Sequence, residues 1–294
     1  MDKTIENRAK DKSFYGTRSL QLGGELYELD RPWLMGILNL NPDSFYDGGR
    51  YDQLDAAVAR TEQMLQEGAD LIDLGPTSSR PGSNLSEAAA EWALLEPFLS
   101  TLTQRFPRAL FSVDTYHSSV AERSIAAGAH MINDISGGRL DPRMAEVIGA
   151  LKVPYVLTHM QGTPQNMQDS PSYDDPIKEV AYFFSQQIDH FNRYGAVNLI
   201  LDVGFGFGKS DTHNYKLLNH LGYFKQIFDL PLLAGLSRKS MICRPTGRPP
   251  QEALHGSSAG HTAALLQGAD FLRVHDVEPA RQATAVARMI QKHY

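Results

Sequence analysis

Cysteine is almost missing from this sequence, and Cys243 is the single one it contains. One cysteine excludes an internal disulfide framework and any zinc site built from several thiolates. Long apolar runs are missing too, with no uninterrupted stretch near the ~18 residues that a membrane span requires. The opening segment MDKTIENRAKDKSF is polar and carries no apolar core of the kind a secretory signal has, so a cytoplasmic protein is expected. Basic runs are equally scarce. Lys and Arg number 28 against 34 Asp and Glu, a formal net charge of -6. Such a chain has little electrostatic attraction to nucleic acid or to an anionic membrane, and neither is expected as a partner. No Ser–His–Asp order and no HExxH is present, so hydrolase and zinc-protease chemistry find no support.

One apparent motif fails on its spacing. DVGFGFGKS, residues 202–210, has the glycines, lysine and serine of a phosphate-binding loop. The Walker pattern places four residues between its first Gly and the Gly-Lys-Ser/Thr. Here only Phe205, Gly206 and Phe207 separate Gly204 from Gly208. A loop one residue short cannot wrap its amides around a phosphate in the same way.

The composition that remains is ordinary for a globular protein, 42% hydrophobic and 21% charged. A length of 294 residues suits two small domains or one large barrel. One phrase recurs: EGADLIDLG from Glu67, AGAHMINDI from Ala127, YGAVNLILDVG from Tyr194 and QGADFLRVHDV from Gln267. Each time Gly-Ala follows a helix-like segment and precedes an apolar run, which reads as helix stop, tight turn, strand. Further apolar runs at 33–40, 109–115, 153–160 and 230–237 bring the strands to eight. Near-continuous apolarity marks strands covered on both faces.

Between them, Asp52 to Gln66 reads as a helix, Ser86 as a cap for EAAAEWALLEPFL, and Asp141-Pro142 as the opening of a helix through Leu151. The fold class expected is α/β, a closed (β/α)8 TIM barrel, with an open doubly wound sheet as the competitor. SLQLGGELYELD alternates around Gly23-Gly24 and predicts an N-terminal β-hairpin that could plug the barrel bottom. Residues 1–14 are expected to be a flexible tail and 15–294 a single domain.

The apolar runs end in polar residues: Asn39, Asp73, Asp114, Asn133 with Asp134, His159, Asp202, Ser237, and Arg273 with His275. A barrel core does not accommodate such groups cheaply. They belong at the C-terminal rim, where barrel enzymes build their sites. Arg273, His275 and Lys239 suit an anionic group such as a phosphate. Asp114 and Asp202 suit hydrogen-bond donors on a polar ring or a developing positive charge. Asn39 is a neutral oxygen that could hold a hard cation. In DTYH, Asp114 and His117 could pair, although three residues at a strand end usually separate side-chain directions.

The ordered phrases MGILNLNPDSFYDGG (35–49), DLGPTSSRPGS (73–83), FSVDT (111–115), INDISGG (132–138), THMQGTPQNMQ (158–168), LDVGFGFGK (201–209), GLSRKSM (235–241) and RVHDV (273–277) together resemble the dihydropteroate synthase family. The resemblance runs from about Ser19 to the C-terminus. It implies condensation of a dihydropterin pyrophosphate with p-aminobenzoate, giving dihydropteroate and pyrophosphate.

By that resemblance Asp202, Asn133 and Asp114 would receive the pterin, Lys239 would reach a ring heteroatom, and Phe207 and Arg273 would pack against the ring. Asn39, Arg80, Arg273 and His275 would hold pyrophosphate, with Asn39 on Mg2+. Asp114, Lys239 and Arg80 would be the catalytic groups. Phe45, Ser79 and Pro81, from two Gly/Pro/Ser-rich loops, would shape the p-aminobenzoate pocket together with Ser240. A homodimer is the family expectation.

Three positions depart from the family pattern: Asn41 where Thr is usual, Val203 where Pro is frequent, and His117 where a basic residue is frequent. Two rivals share the barrel. Corrinoid methyltransferases that use methyltetrahydrofolate have no pyrophosphate to hold. A non-catalytic pterin-binding paralogue would be expected to lose Asn39, Arg80, Asp114, Lys239 or Arg273, and all five are present.

Overall fold

The computed structural model describes residues 19–40, 50–75 and 87–293. Strands β1 (Ser19–Leu22) and β2 (Glu25–Glu28) form the expected antiparallel hairpin around Gly23-Gly24, with Ser19 opposite Glu28. Eight further strands follow: β3 (Trp33–Asn39), β4 (Leu71–Gly75), β5 (Leu110–Asp114), β6 (Met131–Asp134), β7 (Tyr155–Thr158), β8 (Leu199–Asp202), β9 (Leu232–Ala234) and β10 (Phe271–Val274). All are parallel, and β10 pairs with β3 to close the barrel, which rules out the open sheet. The strands are shorter than the apolar runs that announced them. Most rim residues are the last paired residues of their strands, as Asn39, Asp114 and Asp202 are, while His159, Ser237 and His275 lie just beyond.

The surrounding helices are α1 (Arg50–Gln66), α2 (Ala88–Arg105), α3 (Ser118–Ala126), α4 (Met144–Leu151), α5 (Pro176–Arg193), α6 (Asp211–Asn219), α7 (Leu221–Phe228), α8 (Ser240–Thr246), α9 (Leu254–Leu266) and α10 (Val277–Lys292). The repeated Gly-Ala phrase has one structural meaning in all four copies. Gly68, Gly128, Gly195 and Gly268 have φ between 80° and 99°. Each glycine amide bonds the carbonyl three residues back, and each following alanine amide bonds the one five back, as in Ala69 to Met64 and Ala269 to Ala264. This is the Schellman helix stop, and it satisfies carbonyls that the helix end would otherwise orphan.

The next residue often ties the incoming strand to its neighbour. Asp70, His130 and Asp270 accept from the amides of Leu34, Phe111 and Leu232. Arg31 clamps the first of these aspartates and Lys225 the last.

Two helix expectations change. The cap proposed at Ser86 lies outside the described residues, and α2 is entered at Glu87 without a side-chain cap. The α4 helix starts at Met144, two residues past Pro142. Asp141 instead accepts from the amides of Ser118 and Arg143, serving the starts of α3 and α4 at once.

Side chains two apart on a strand share a face. The barrel interior is therefore layered. Its lower layer is apolar: Met35, Leu71, Leu110, Met131, Val156, Ile200, Leu233 and Phe271 pack with Trp33 and with Leu20 and Leu22 of the hairpin. The hairpin does plug the bottom. The opposite strand faces, including Ile72, Val113, Leu157 and Leu272, meet the helices in a second and larger core.

Candidate active site

Adding two to each residue of that apolar layer gives the next inward-facing positions: Ile37, Asp73, Ser112, Asn133, Thr158, Asp202, Gly235 and Arg273. Asn39 and Asp114 stand one step higher on β3 and β5. An apolar floor thus carries a polar layer, and the site's groups come together because strand periodicity aims them at one axis.

Arg273 is the hub. Its Nε donates to Asp73 Oδ2 at 2.7 Å and one Nη donates to Asp114 Oδ2 at 3.0 Å. Asn133 Nδ2 donates to the same Asp73 oxygen at 3.0 Å. A Cβ built on Gly75 would lie 3.5 Å from Asn39 Oδ1, 3.6 Å from Asp114 Oδ2 and 3.7 Å from an Arg273 Nη. Asn39, Asp114 and Arg273 therefore converge over a glycine that leaves the space between them open. Gly235 does the same beside Asp202 Oδ2, at 3.7 Å. Asp73 Oδ1 and Ser112 Oγ are buried without a hydrogen-bond partner among the described residues.

Asp202 accepts from the Gly204 amide through Oδ1 at 2.8 Å. Lys239 donates to the Phe205 carbonyl at 2.5 Å and places Nζ 4.3 Å from the centroid of the Phe207 ring. His275 is held by Ser237, whose Oγ lies 3.1 Å from Nδ1 and accepts from the His275 amide. The neighbouring Arg238 is spent on Asp276 in a two-point ion pair. Ser240 is exposed at the start of α8, directly after Lys239.

The electrostatics follow from crowding buried charges in the barrel interior. Burial drives the Asp114 pKa up to about 8, against the pull of Arg273 and with the push of Asp73. Arg273 offsets this only partly because its shorter contact goes to Asp73. Burial also raises Asp202, opposed mainly by Lys239. Lys239 itself is lowered to about 8, by burial first, with Asp202 pulling the other way. His275 falls to about 4, from burial and then from the cations Arg273 and Arg238, so the ring is neutral at pH 7.

The site residues expected from sequence fall into three sets. Asn39, Asp114, Asn133, Asp202, Phe207, Lys239, Arg273 and His275 sit at one end of the barrel, and Ser240 opens the adjoining helix. Phe45, Ser79, Arg80 and Pro81 lie outside the described residues, as does Asn41. His117 does not pair with Asp114; it faces Glu91 at 4.0 Å on the helix side. Asp134 also leaves the site, its carboxylate taken by Tyr155 Oη and by the amides of Ser136 and Gly138.

Two groups have a larger part than the sequence suggested. Asp73 anchors both Arg273 and Asn133; its position two after Leu71 signals that it faces inward, but not which residues it meets. Lys209 has its ammonium enclosed under the 204–208 loop. A cleft of about 430 Å3 beside α5, lined by Arg139, Gln161 and Tyr173 among others, includes none of Asp114, Asp202, Lys239 or Arg273. Among the described residues no cluster of three His, Cys, Asp or Glu could hold a metal.

Comparison with known proteins gives a consistent result. The profile of the family described as pterin binding enzyme matches residues 35–275. The dihydropteroate synthase of Escherichia coli K12 is 42% identical over 265 residues, covering 90% of this chain and 93% of that one. Among solved structures, Yersinia pestis dihydropteroate synthase in a sulfonamide drug complex superposes with a TM-score of 0.87 at 42% identity, covering 94% of this chain and all of that chain (100%). The Xanthomonas albilineans enzyme in complex with 7,8-dihydropteroate superposes with a TM-score of 0.82 at 38% identity, covering 93% and 99%.

Proposed function

This chain belongs to the pterin binding enzyme family, and we infer that its barrel performs the dihydropteroate synthase reaction. A dihydropterin pyrophosphate and p-aminobenzoate are joined, pyrophosphate leaves, and 7,8-dihydropteroate forms. The observation that carries this reading is the convergence of Asn39, Asp114, Asn133, Asp202, Lys239 and Arg273 above an apolar floor.

The residues divide the work by charge. Asp202 has Oδ1 on the Gly204 amide and Oδ2 beside Gly235, which leaves Oδ2 to accept from a ring nitrogen and an exocyclic amine. Asn133 spends its amide nitrogen on Asp73 and offers its carbonyl oxygen. Lys239 and the Phe207 ring bracket the pterin edge and face. Arg273 is pinned by Asp73, so its position is fixed before any anion arrives, and with neutral His275 it donates to the departing pyrophosphate. Preorganised donors of this kind stabilise developing charge without reorganising at the moment of reaction. Asp114 faces the carbon that becomes electron-poor as pyrophosphate leaves, and its oxygens offset that charge once the proton it holds at rest has left. The p-aminobenzoate amine then needs placement more than a base.

Arg80 completes the pyrophosphate contacts in this reading. Phe45, Ser79 and Pro81 wall the second pocket, and the Ser240 amide meets the benzoate carboxylate. Asn39 Oδ1 is a single neutral oxygen beside the anion site, which fits Mg2+, an ion that keeps waters and substrate phosphates and needs few protein ligands. When bound, Mg2+ would offset pyrophosphate charge.

A homodimer belongs to the same reading, supported by exposed apolar side chains on α7, α9 and α10. So does a cytoplasmic location, to be checked by fractionation of expressing cells. Among the described residues no helix is long and apolar enough to cross a membrane.

The test is isothermal titration with dihydropterin pyrophosphate beside an assay of pyrophosphate release on adding p-aminobenzoate. Binding followed by release is expected. Binding without release would reassign the chain as a non-catalytic pterin binder. Methyl transfer from methyltetrahydrofolate, with no pyrophosphate chemistry, would reassign it to the corrinoid class.

A further inference from the structure

We propose that Lys209 is a positioning residue for the ring pocket, holding Asp202, Phe207 and Lys239 in register through the loop they share. The proposal rests on the pterin reading above. The Lys209 ammonium is enclosed. Its Nζ lies 3.0 Å from the Gly204 carbonyl, 3.0 Å from that of Phe207, 3.1 Å from that of His159 and 2.9 Å from His159 Nδ1. None of the three carbonyls can donate, so the amine supplies the hydrogens. Burial holds the Lys209 pKa well below the usual lysine range, with Asp202 pulling it back up, and three inward carbonyl oxygens favour the form that carries the most hydrogens. With four neighbours around at most three hydrogens, one hydrogen is shared, and His159 presents Nδ1 as an acceptor to it. Burial and the adjacent Lys209 hold its pKa well below the usual range, which keeps the ring neutral in that role.

The loop is wound around this cation. Gly204, Gly206 and Gly208 all have φ between 62° and 82°. The winding turns the Gly204 and Phe207 carbonyls toward Lys209, the reverse of an anion nest, in which amides point inward. Each remaining carbonyl is also engaged: Phe205 by Lys239, Gly206 by Gln168 and Gly208 by the Tyr173 hydroxyl. The Gly204 amide returns to Asp202. Thus Lys209 grips the loop from the buried side while Lys239 grips it from the ligand side. Moving the loop would displace the Asp202 acceptor, the Phe207 face and the Lys239 head together. The lysine of the failed Walker motif therefore serves the protein's own backbone.

The test compares Lys209→Met with its parent, a Cys243→Ser protein, and with Lys209→Cys made in that parent. The last is alkylated with 2-bromoethylamine while unfolded and then refolded, which restores an ammonium at nearly the same reach. Dihydropterin pyrophosphate affinity is read by isothermal titration, kcat and both KM values by steady-state kinetics, and folding by circular dichroism. The Met variant is expected to lose roughly 30-fold in dihydropterin affinity, while the p-aminobenzoate KM at saturating pterin changes less than about 3-fold. The alkylated protein should recover most of the loss.

A folded Met variant with parental dihydropterin affinity overturns the proposal, and so does an equal rise in both KM values. Should the Met variant not fold, His159→Ala decides. It removes one acceptor and leaves the cation, and an affinity loss of about 5-fold is expected. Unchanged affinity there overturns the proposal. Failure of the parent itself to bind the dihydropterin would count against the pterin reading instead.

Discussion

Asp202 is the residue on which the ring reading depends most, because its second oxygen sits in the barrel interior beside Gly235 with no hydrogen-bond donor on it among the described residues. Asp202→Ala is expected to weaken dihydropterin binding by about 2–4 kcal/mol, the scale of losing a charged hydrogen-bond partner. Titration of the folded variant checks this, and parental affinity would contradict the assignment. Asp114 gives a pH test. Its folded pKa of about 8 stands above its ordinary 3.8. Between those values the unfolded chain has released the proton and the folded chain keeps it, so stability falls as pH rises through the window and levels off above it. Asp114→Asn should therefore unfold at a higher temperature than the parent near pH 8, with the gap closing toward pH 4. Its turnover should fall roughly 100-fold, the size of one lost electrostatic contact to the transition state. A stability gap independent of pH would show that the carboxyl is not held protonated. Asp202 and Asp114 are legible in the sequence because polar residues end apolar strands. Asp73 reads there as one more strand end, since nothing in a one-dimensional pattern shows that Arg273, 200 residues away, will reach it.

At the scale of the element, the glycines separate into two kinds that a single substitution distinguishes. Gly195 ends α5 at φ 80° with nothing within 4 Å of an added Cβ. Gly195→Ala meets backbone strain alone and should cost about 1 kcal/mol of stability with catalysis unchanged. Gly204 has φ 70°, and its Cβ would lie 1.9 Å from the His159 carbonyl. Gly204→Ala must push the loop off Lys209 and is expected to abolish dihydropterin binding. Chemical denaturation and titration on both variants check the contrast, and equal effects would sink it. The helix stops are legible in the sequence because Gly-Ala recurs with a fixed local consequence. The hairpin is legible from its alternation around Gly23-Gly24. The short spans of β7 and β9 are not, because apolar residues continue past the last ladder bond. The lysine's burial is hidden as well. Sequence places Lys209 next to Gly208, but only the closed loop determines whether it faces solvent, phosphate or backbone.

At the scale of the molecule, the outer surface is not uniformly polar. Tyr223 and Ile227 on α7, Leu266 at the end of α9, and Val286, Met289 and Ile290 on α10 are exposed. The α9 and α10 helices pack together, and the first turn of α7 meets the residue that follows α9. Gln291 donates to the Leu265 carbonyl at 2.9 Å, and a Cβ on Gly222 would come within 3.0 Å of the Gln267 carbonyl. The exposed side chains stand on neighbouring helices, and apolar groups that gather into one patch mark an interaction site. A second copy of the chain is the simplest occupant, since a twofold interface needs only one self-complementary patch. The patch lies on helices outside the barrel, whereas Asp114, Asp202 and Arg273 lie within it, so association and chemistry should separate. Met289→Glu combined with Ile290→Lys places charges where an apolar partner would sit, at a desolvation cost of several kcal/mol per buried ion. Light scattering after size exclusion should give a dimer of 32.6 kDa chains for the parent and a monomer for the variant. The variant's dihydropterin affinity should stay within about 3-fold of the parent's, as expected for a site that shares no residue with the patch. A parent that is monomeric at micromolar concentration would remove the dimer from the reading and leave the patch to another partner.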